Sequence, residues 1–339
     1  GDVYKRQGMG GSTTPKDMEY MFQMIYAYFT DINYDPEAFD TYKQKQSAFY
    51  DNMMREPNYY FTQELSALLN KDNPRFFGVV PDQKAWAATD YKLAYDKFKE
   101  RFANAADFEF FFVGNIDEAK FNEYVTKYLA SLPATSAPKE KTVDTGFRPK
   151  KEDIKKIFNK GTEPKSSVRI SYFGETKYDE KEALAMEALG EILTIKLVEQ
   201  LRETESGVYG IRAYGYLGKV PYGQYGFNIS FPCGPENAEK LTTSALNELQ
   251  KIVDKGPEAK DLSKFKEAEL LEYKKNLKEN QFWLNTFSNA YALETSADGI
   301  LKKEEKIKAL TAKEIQAVAK KYIGKDKIVG ILMPEEGTK

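Results

Sequence analysis

The chain has 339 residues, 41% hydrophobic and 30% charged, and its 50 Lys and Arg against 52 Asp and Glu leave a formal net charge of −2. That composition is globular, and the charge balance gives no reason to expect nucleic acid or an anionic membrane as partner. There is no histidine and only one cysteine, Cys233, which excludes Ser-His-Asp and Cys-His catalysis, the usual imidazole-built zinc sites and any intrachain disulfide.

The opening residues 1–7, GDVYKRQ, fit nothing that follows and are expected to be non-native. Gly8-Met9-Gly10-Gly11 has neither a preceding strand nor the spacing of a phosphate-binding loop. Pro15 opens a helical run with Met18, Met21, Ile25 and Phe29 on one face. No apolar stretch is long enough to cross a bilayer, and this most apolar one is broken by Glu19 and Gln23. PEAFDTYKQK follows at Pro36 to Lys45, then an amphipathic helix from Thr89 through Phe102 and an apolar strand at Phe110 to Val113.

Residues 133–149 are rich in Pro, Thr and Lys, lack periodicity and read as a linker. Within it Asp144-Thr145-Gly146 matches the aspartic-peptidase tripeptide. Those enzymes need two such aspartates on turns held by apolar strands; here there is one, between lysines, so only a homodimer could complete a dyad.

Beyond the linker, strands are expected at Ile154 to Phe158 and Ser167 to Phe173. Asp179 begins a long helix striped by Leu184, Leu189, Leu193, Leu197 and Leu201, with Gly207 ending the turn after it. Strands at Val208 to Tyr216 and Tyr222 to Phe231 form a hairpin about Gly218 and Pro221. Helices then follow from Pro235, Pro257, Gln281 and Thr311, before a last strand at Ile328 to Leu332.

Part of this order repeats. PEAFDTYKQK at Pro36 returns as PEAKDLSKFK at Pro257, the Pro15 helix as the Pro235 helix, and the Thr89 helix with its strand as the Thr311 helix with its strand. Three matches in one order at nearly one offset imply two homologous units. Strands clustered before helices indicate α+β architecture. The expected division is a first α+β domain over 8–132 that lacks its N-terminal strands, a linker at 133–149, and a complete second α+β domain over 150–339.

Arg202 and Tyr209, in LRETESGVYG, have an ordinary structural explanation. A cation suits the last turn of a helix, and tyrosine suits the start of a strand. However, the long helix, Leu201-Arg202-Glu203, the short polar segment, Gly207-Val208-Tyr209 and the glycine-broken hairpin together resemble the C-terminal half of pitrilysin-like zinc peptidases. This is the family of insulin-degrading enzyme and mitochondrial processing peptidase. FFVGNIDEAKFNEYVTKYLASLP at Phe111 to Pro133 resembles the end of a domain in that family, and GGSTTPKDMEYMFQMIYAYFT at Gly10 to Thr30 resembles its large bacterial members.

The resemblance implies two homologous α/β-sandwich domains of the metallohydrolase type. It implies a zinc site of the H-x-x-E-H kind in an N-terminal half, with zinc polarising the scissile carbonyl and a glutamate as general base. That half would belong to the same polypeptide or to a partner subunit, and an unfolded peptide would be the substrate. This chain would hold no metal and be inactive alone. It would contribute Tyr209, whose phenol hydrogen-bonds the developing oxyanion, and Arg202, which holds a neighbouring substrate carbonyl. A periplasmic location is also implied. The competing reading within the family is a catalytically dead scaffold subunit.

Overall fold

The computed structural model describes residues 8–137, 139–204, 208 and 210–335, with the backbone alone at Glu203 and Thr204. Six helices come first: α1 (Met18–Thr30), α2 (Pro36–Arg55), α3 (Pro57–Leu69), α4 (Gln83–Ala87), α5 (Tyr91–Phe102) and α6 (Glu118–Tyr124). After an extended stretch come β1 (Ile154–Asn159), β2 (Ser166–Glu175), α7 (Glu180–Leu197), β3 (Arg212–Gly218) and β4 (Gln224–Cys233). The chain ends with α8 (Ala238–Lys255), α9 (Ala259–Asn276), α10 (Asn280–Ala292), α11 (Lys303–Ala309), α12 (Ala312–Tyr322) and β5 (Ile328–Met333). This is the α+β class expected from the sequence.

Local chemistry sets many of the boundaries. The Asp35 carboxylate accepts from Ala38 N at 2.9 Å to start α2, and Asp179 accepts from Lys181 N and Glu182 N to start α7. Thr311 and Glu314 form a reciprocal capping box at α12, satisfying two backbone donors that the first turn leaves free. Gly256, at φ +79, ends α8 in a conformation that a β-carbon disfavours.

The five strands form one sheet in the order β1-β5-β2-β4-β3. β2, β4 and β3 are antiparallel neighbours, β5 runs antiparallel to β2, and β1 lies parallel to β5. Alternation divides the side chains between two faces. Val168, Ile170, Phe227, Ile229, Phe231, Val329 and Ile331 pack with α7, α8 and α12 in the main core.

The opposite face is covered at β1 and β5 by α3, whose Phe61 and Leu65 bury against Phe158, Ile328 and Leu332. Gly330 permits this approach, since a β-carbon there would lie 2.5 Å from a Leu65 methyl. α10 makes the reciprocal contact with the first part of the chain: the Tyr291 ring lies 5.8 Å from Phe111, and its hydroxyl donates to Glu109.

Two expected elements differ. The segment Phe110 to Val113 is extended but not a strand. No strand pairs with it among the described residues, and a ladder needs a neighbour. It is held by rings instead, Phe112 stacking on Phe22 at 5.3 Å and Phe110 lying 6.0 Å from Phe29. The strand expected from Val208 enters the ladder only at Arg212; Val208 itself makes an isolated bridge to Cys233. Gly207 and residues 1–7 lie outside the described residues.

Candidate functional site

α7 does not stop at Leu197. It continues as a π-helical turn over Val198–Thr204, and Arg202 stands exposed on that turn. Leu197 and Leu201, fully buried in the core, hold the turn from beneath. Tyr209 lies outside the described residues, so its side chain has no assigned position. Its neighbour Val208 is buried and bridges Cys233 at the end of β4, which ties the chain beside Tyr209 to the sheet.

Three contacts fix the helix that presents Arg202. Gly190 lets α7 press against β3: a β-carbon there would lie 2.7 Å from Tyr214 Cα and 3.0 Å from Gly215 N. One turn on, Thr194 Oγ1 accepts the Ala213 N–H at 2.8 Å and lies 3.1 Å from the Ala213 carbonyl. It thereby satisfies a backbone pair that would otherwise face outward from the edge strand.

In the last turn, Lys196 lies between carboxylates. Its Nζ is 2.7 Å from Glu258, 3.1 Å from Asp261 and 3.7 Å from Glu199. Asp261 is completely buried, and neither of its oxygens accepts a well-aligned hydrogen bond, so Lys196 neutralises it through charge. Burial opposes the Lys196 charge, but hydrogen bonding to Glu258 and Asp261 outweighs it and raises the ammonium pKa. None of Gly190, Thr194, Lys196 or Asp261 was singled out from sequence. A signal existed for the last: Glu258 and Asp261 are the Glu and Asp of the repeated Pro-Glu-Ala-x-Asp segment.

The tripeptide at Asp144 has a structural role. Asp144 accepts the Gly146 N–H at 2.9 Å and two guanidinium bonds from Arg148 at 2.9 and 2.6 Å. Arg148 also bonds Glu175 at 2.5 Å and lies 3.5 Å over the Tyr222 ring, so the linker is clamped to the sheet. The Arg148 guanidinium, helped by the Gly146 N–H, lowers the Asp144 carboxyl to about 2. A carboxylate held ionised this way cannot share a proton in an aspartic dyad.

Zinc does not fit the residues present. Among the described residues no three acidic or cysteine side chains converge to hold a metal, and the chain has no histidine. Cys233 is buried, and desolvation, aided by Glu236, pushes its thiol up to about 11. No described helix is long and apolar enough to cross a membrane.

The comparisons with known proteins agree with this arrangement. The chain is 23% identical over 257 residues to a probable zinc protease PqqL of Haemophilus influenzae, covering 74% of this chain and 26% of that protein. It is 23% identical over 291 residues to a zinc protease PQQL-like of Arabidopsis thaliana, covering 81% and 30% respectively. The crystal structure of the periplasmic protease PqqL from Escherichia coli superposes with a TM-score of 0.78 at 19% identity, over 95% of this chain and 35% of that one. The chain thus spans about a third or less of the proteins it matches. The peptidase M16 inactive domain matches residues 95–269, which include the Arg202 turn, Tyr209 and four of the five strands. The chain belongs to the peptidase M16 inactive-domain family.

Proposed function

We propose that this chain is the zinc-free C-terminal half of a periplasmic zinc endopeptidase, forming one wall of its peptide-binding chamber and supplying Arg202 and Tyr209 to its active site. The observation that carries this reading is the inactive-domain match running through an exposed Arg202 on a firmly anchored turn, seven positions before Tyr209. The anchoring matters because a substrate-holding side chain works only if its backbone is fixed before substrate arrives. In this reading the zinc-bearing N-terminal half is fused to this chain or paired with it, and the 8–132 unit is completed by strands encoded upstream.

The chemistry falls to two side chains. Arg202 donates its guanidinium N–H groups to a substrate carbonyl beside the scissile bond and stays charged at any working pH. Tyr209 donates its phenolic O–H to the scissile carbonyl oxygen as negative charge develops there. Metal and general base belong to the other half.

The test is reconstitution with the zinc-bearing half and a quenched fluorescent unfolded peptide. Chelator-sensitive cleavage should require both halves. Tyr209→Phe should lower kcat by ~10²–10³, the loss typical of one oxyanion donor, with KM little changed. Arg202→Ala should act mainly on KM. Absence of cleavage in the reconstituted pair would return the chain to a scaffold role.

A further inference from the structure

β3 is an edge strand, and only part of its outer edge is capped. Because the backbone groups of Ala213 turn outward to Thr194, those of Gly215 and Leu217 turn outward too, by the alternation of an antiparallel ladder. No hydrogen-bond partner for these two edge residues occurs among the described residues. They open into a groove enclosing about 590 Å³, between α7 and β3 on one side and α10 with the 3-10 turn Ala297–Lys302 on the other.

The charges along this groove do not cancel. Lys306 is paired with Glu180 at 2.5 Å and Lys303 with Glu269 at 2.7 Å. That leaves Glu187 and Glu191, one helical turn apart on α7, with no ion-pair partner among the described residues. The Gly190–Tyr214 and Met186–Gly215 contacts bring Glu187 level with the open edge. Glu187 reaches solvent through the groove, yet its carboxyl is raised by desolvation and then by Glu269, against a smaller pull from Lys303. Arg212 contributes the opposing charge, its guanidinium 5.9 Å from the Tyr214 ring.

We infer that this groove binds an extended peptide as an added strand along β3, with a Lys or Arg side chain of that peptide set against Glu187 and Glu191. Main-chain bonds to Gly215 and Leu217 supply sequence-tolerant affinity, and the acidic pair supplies selectivity for a basic residue. The site is separate from the Arg202 turn; it rests on the peptidase reading only in that the peptide would be a substrate segment.

The test uses the full chain without any zinc-bearing half, so it stands apart from catalysis. Fluorescein-labelled twelve-residue Thr/Val peptides with a central Lys, Gln or Glu are titrated by anisotropy. A fourth peptide is the Lys form N-methylated on alternate residues of either register. The expected order is Lys tightest and Glu weakest, with N-methylation in one register costing tenfold or more. Glu187→Gln should remove most of the Lys preference while the Gln peptide binds as before; Arg202→Ala should change neither. Equal binding of all peptides, indifference to N-methylation in both registers, or an unchanged Lys preference in Glu187→Gln would overturn the inference. So would a stable dimer of the chain that excludes the peptides.

Discussion

Lys196 Nζ lies 3.1 Å from a carboxylate oxygen of Asp261, which is wholly buried where the last turn of α7 meets α9. Removing the lysine strands a charge in the interior, a loss that typically costs ~3–5 kcal/mol. Lys196→Met should destabilise the chain by about 3 kcal/mol in urea unfolding, and Asp261→Asn by less, since Lys196 keeps Glu258. A double-mutant cycle should give clear coupling. The raised Lys196 pKa sets the sign of the pH effect. The contribution is complete below the ordinary lysine value of 10.5 and is lost only as pH rises through the folded value above it.

Gly190 predicts an asymmetry between glycines. An alanine there meets strand backbone at 2.7 Å, which cannot swing aside. Gly190→Ala should cost about 1–3 kcal/mol as overpacking and shift α7 along with its Arg202 turn. Gly324→Ala, with nothing within 4 Å of its β-carbon, is the control and should leave the melting temperature almost unchanged.

The Asp144 clamp predicts an acid-sensitive linker. Its carboxyl falls from 3.8 to about 2 on folding, with Arg148 the leading cause. A depressed carboxyl contributes above its unfolded value and is lost as pH falls through the folded one. Limited proteolysis within 133–149 should therefore quicken between about pH 4 and pH 2. Asp144→Asn should show that fast cleavage already at neutral pH. Acid should elicit no pepstatin-sensitive activity.

Phe61 predicts the strength of the α3 seat. Its ring is fully buried and lies 5.6 Å from Phe158, with the Arg169 guanidinium 5.3 Å away. Phe61→Ala should cost about 3 kcal/mol or more and expose the β5 face to dye binding. A variant that kept full stability would show that α3 is not held by this cluster.

How much of this was legible in advance depends on how local each cause is. The helix caps at Asp179 and Thr311 and the leucine stripe of α7 lie within one or two turns of sequence, and each is found where periodicity put it. The repeat at Pro36 and Pro257 was legible for the same reason, and so was the absence of a histidine-built zinc site. Phe110 to Val113 carries a strand's composition, yet it makes no ladder, because a strand also needs a partner that its own residues cannot supply. Asp261 looked like any charge on an amphipathic helix; it is buried only because Lys196, far away in the chain, meets it. The β3 groove is likewise assembled from three distant elements. By itself the sequence determined local conformation, the class of fold and the family pattern around Arg202 and Tyr209. Tertiary structure alone decided which charges are neutralised, which backbone edge stays open and what holds the Arg202 turn still, since those depend on distances between residues that chain order does not bring together.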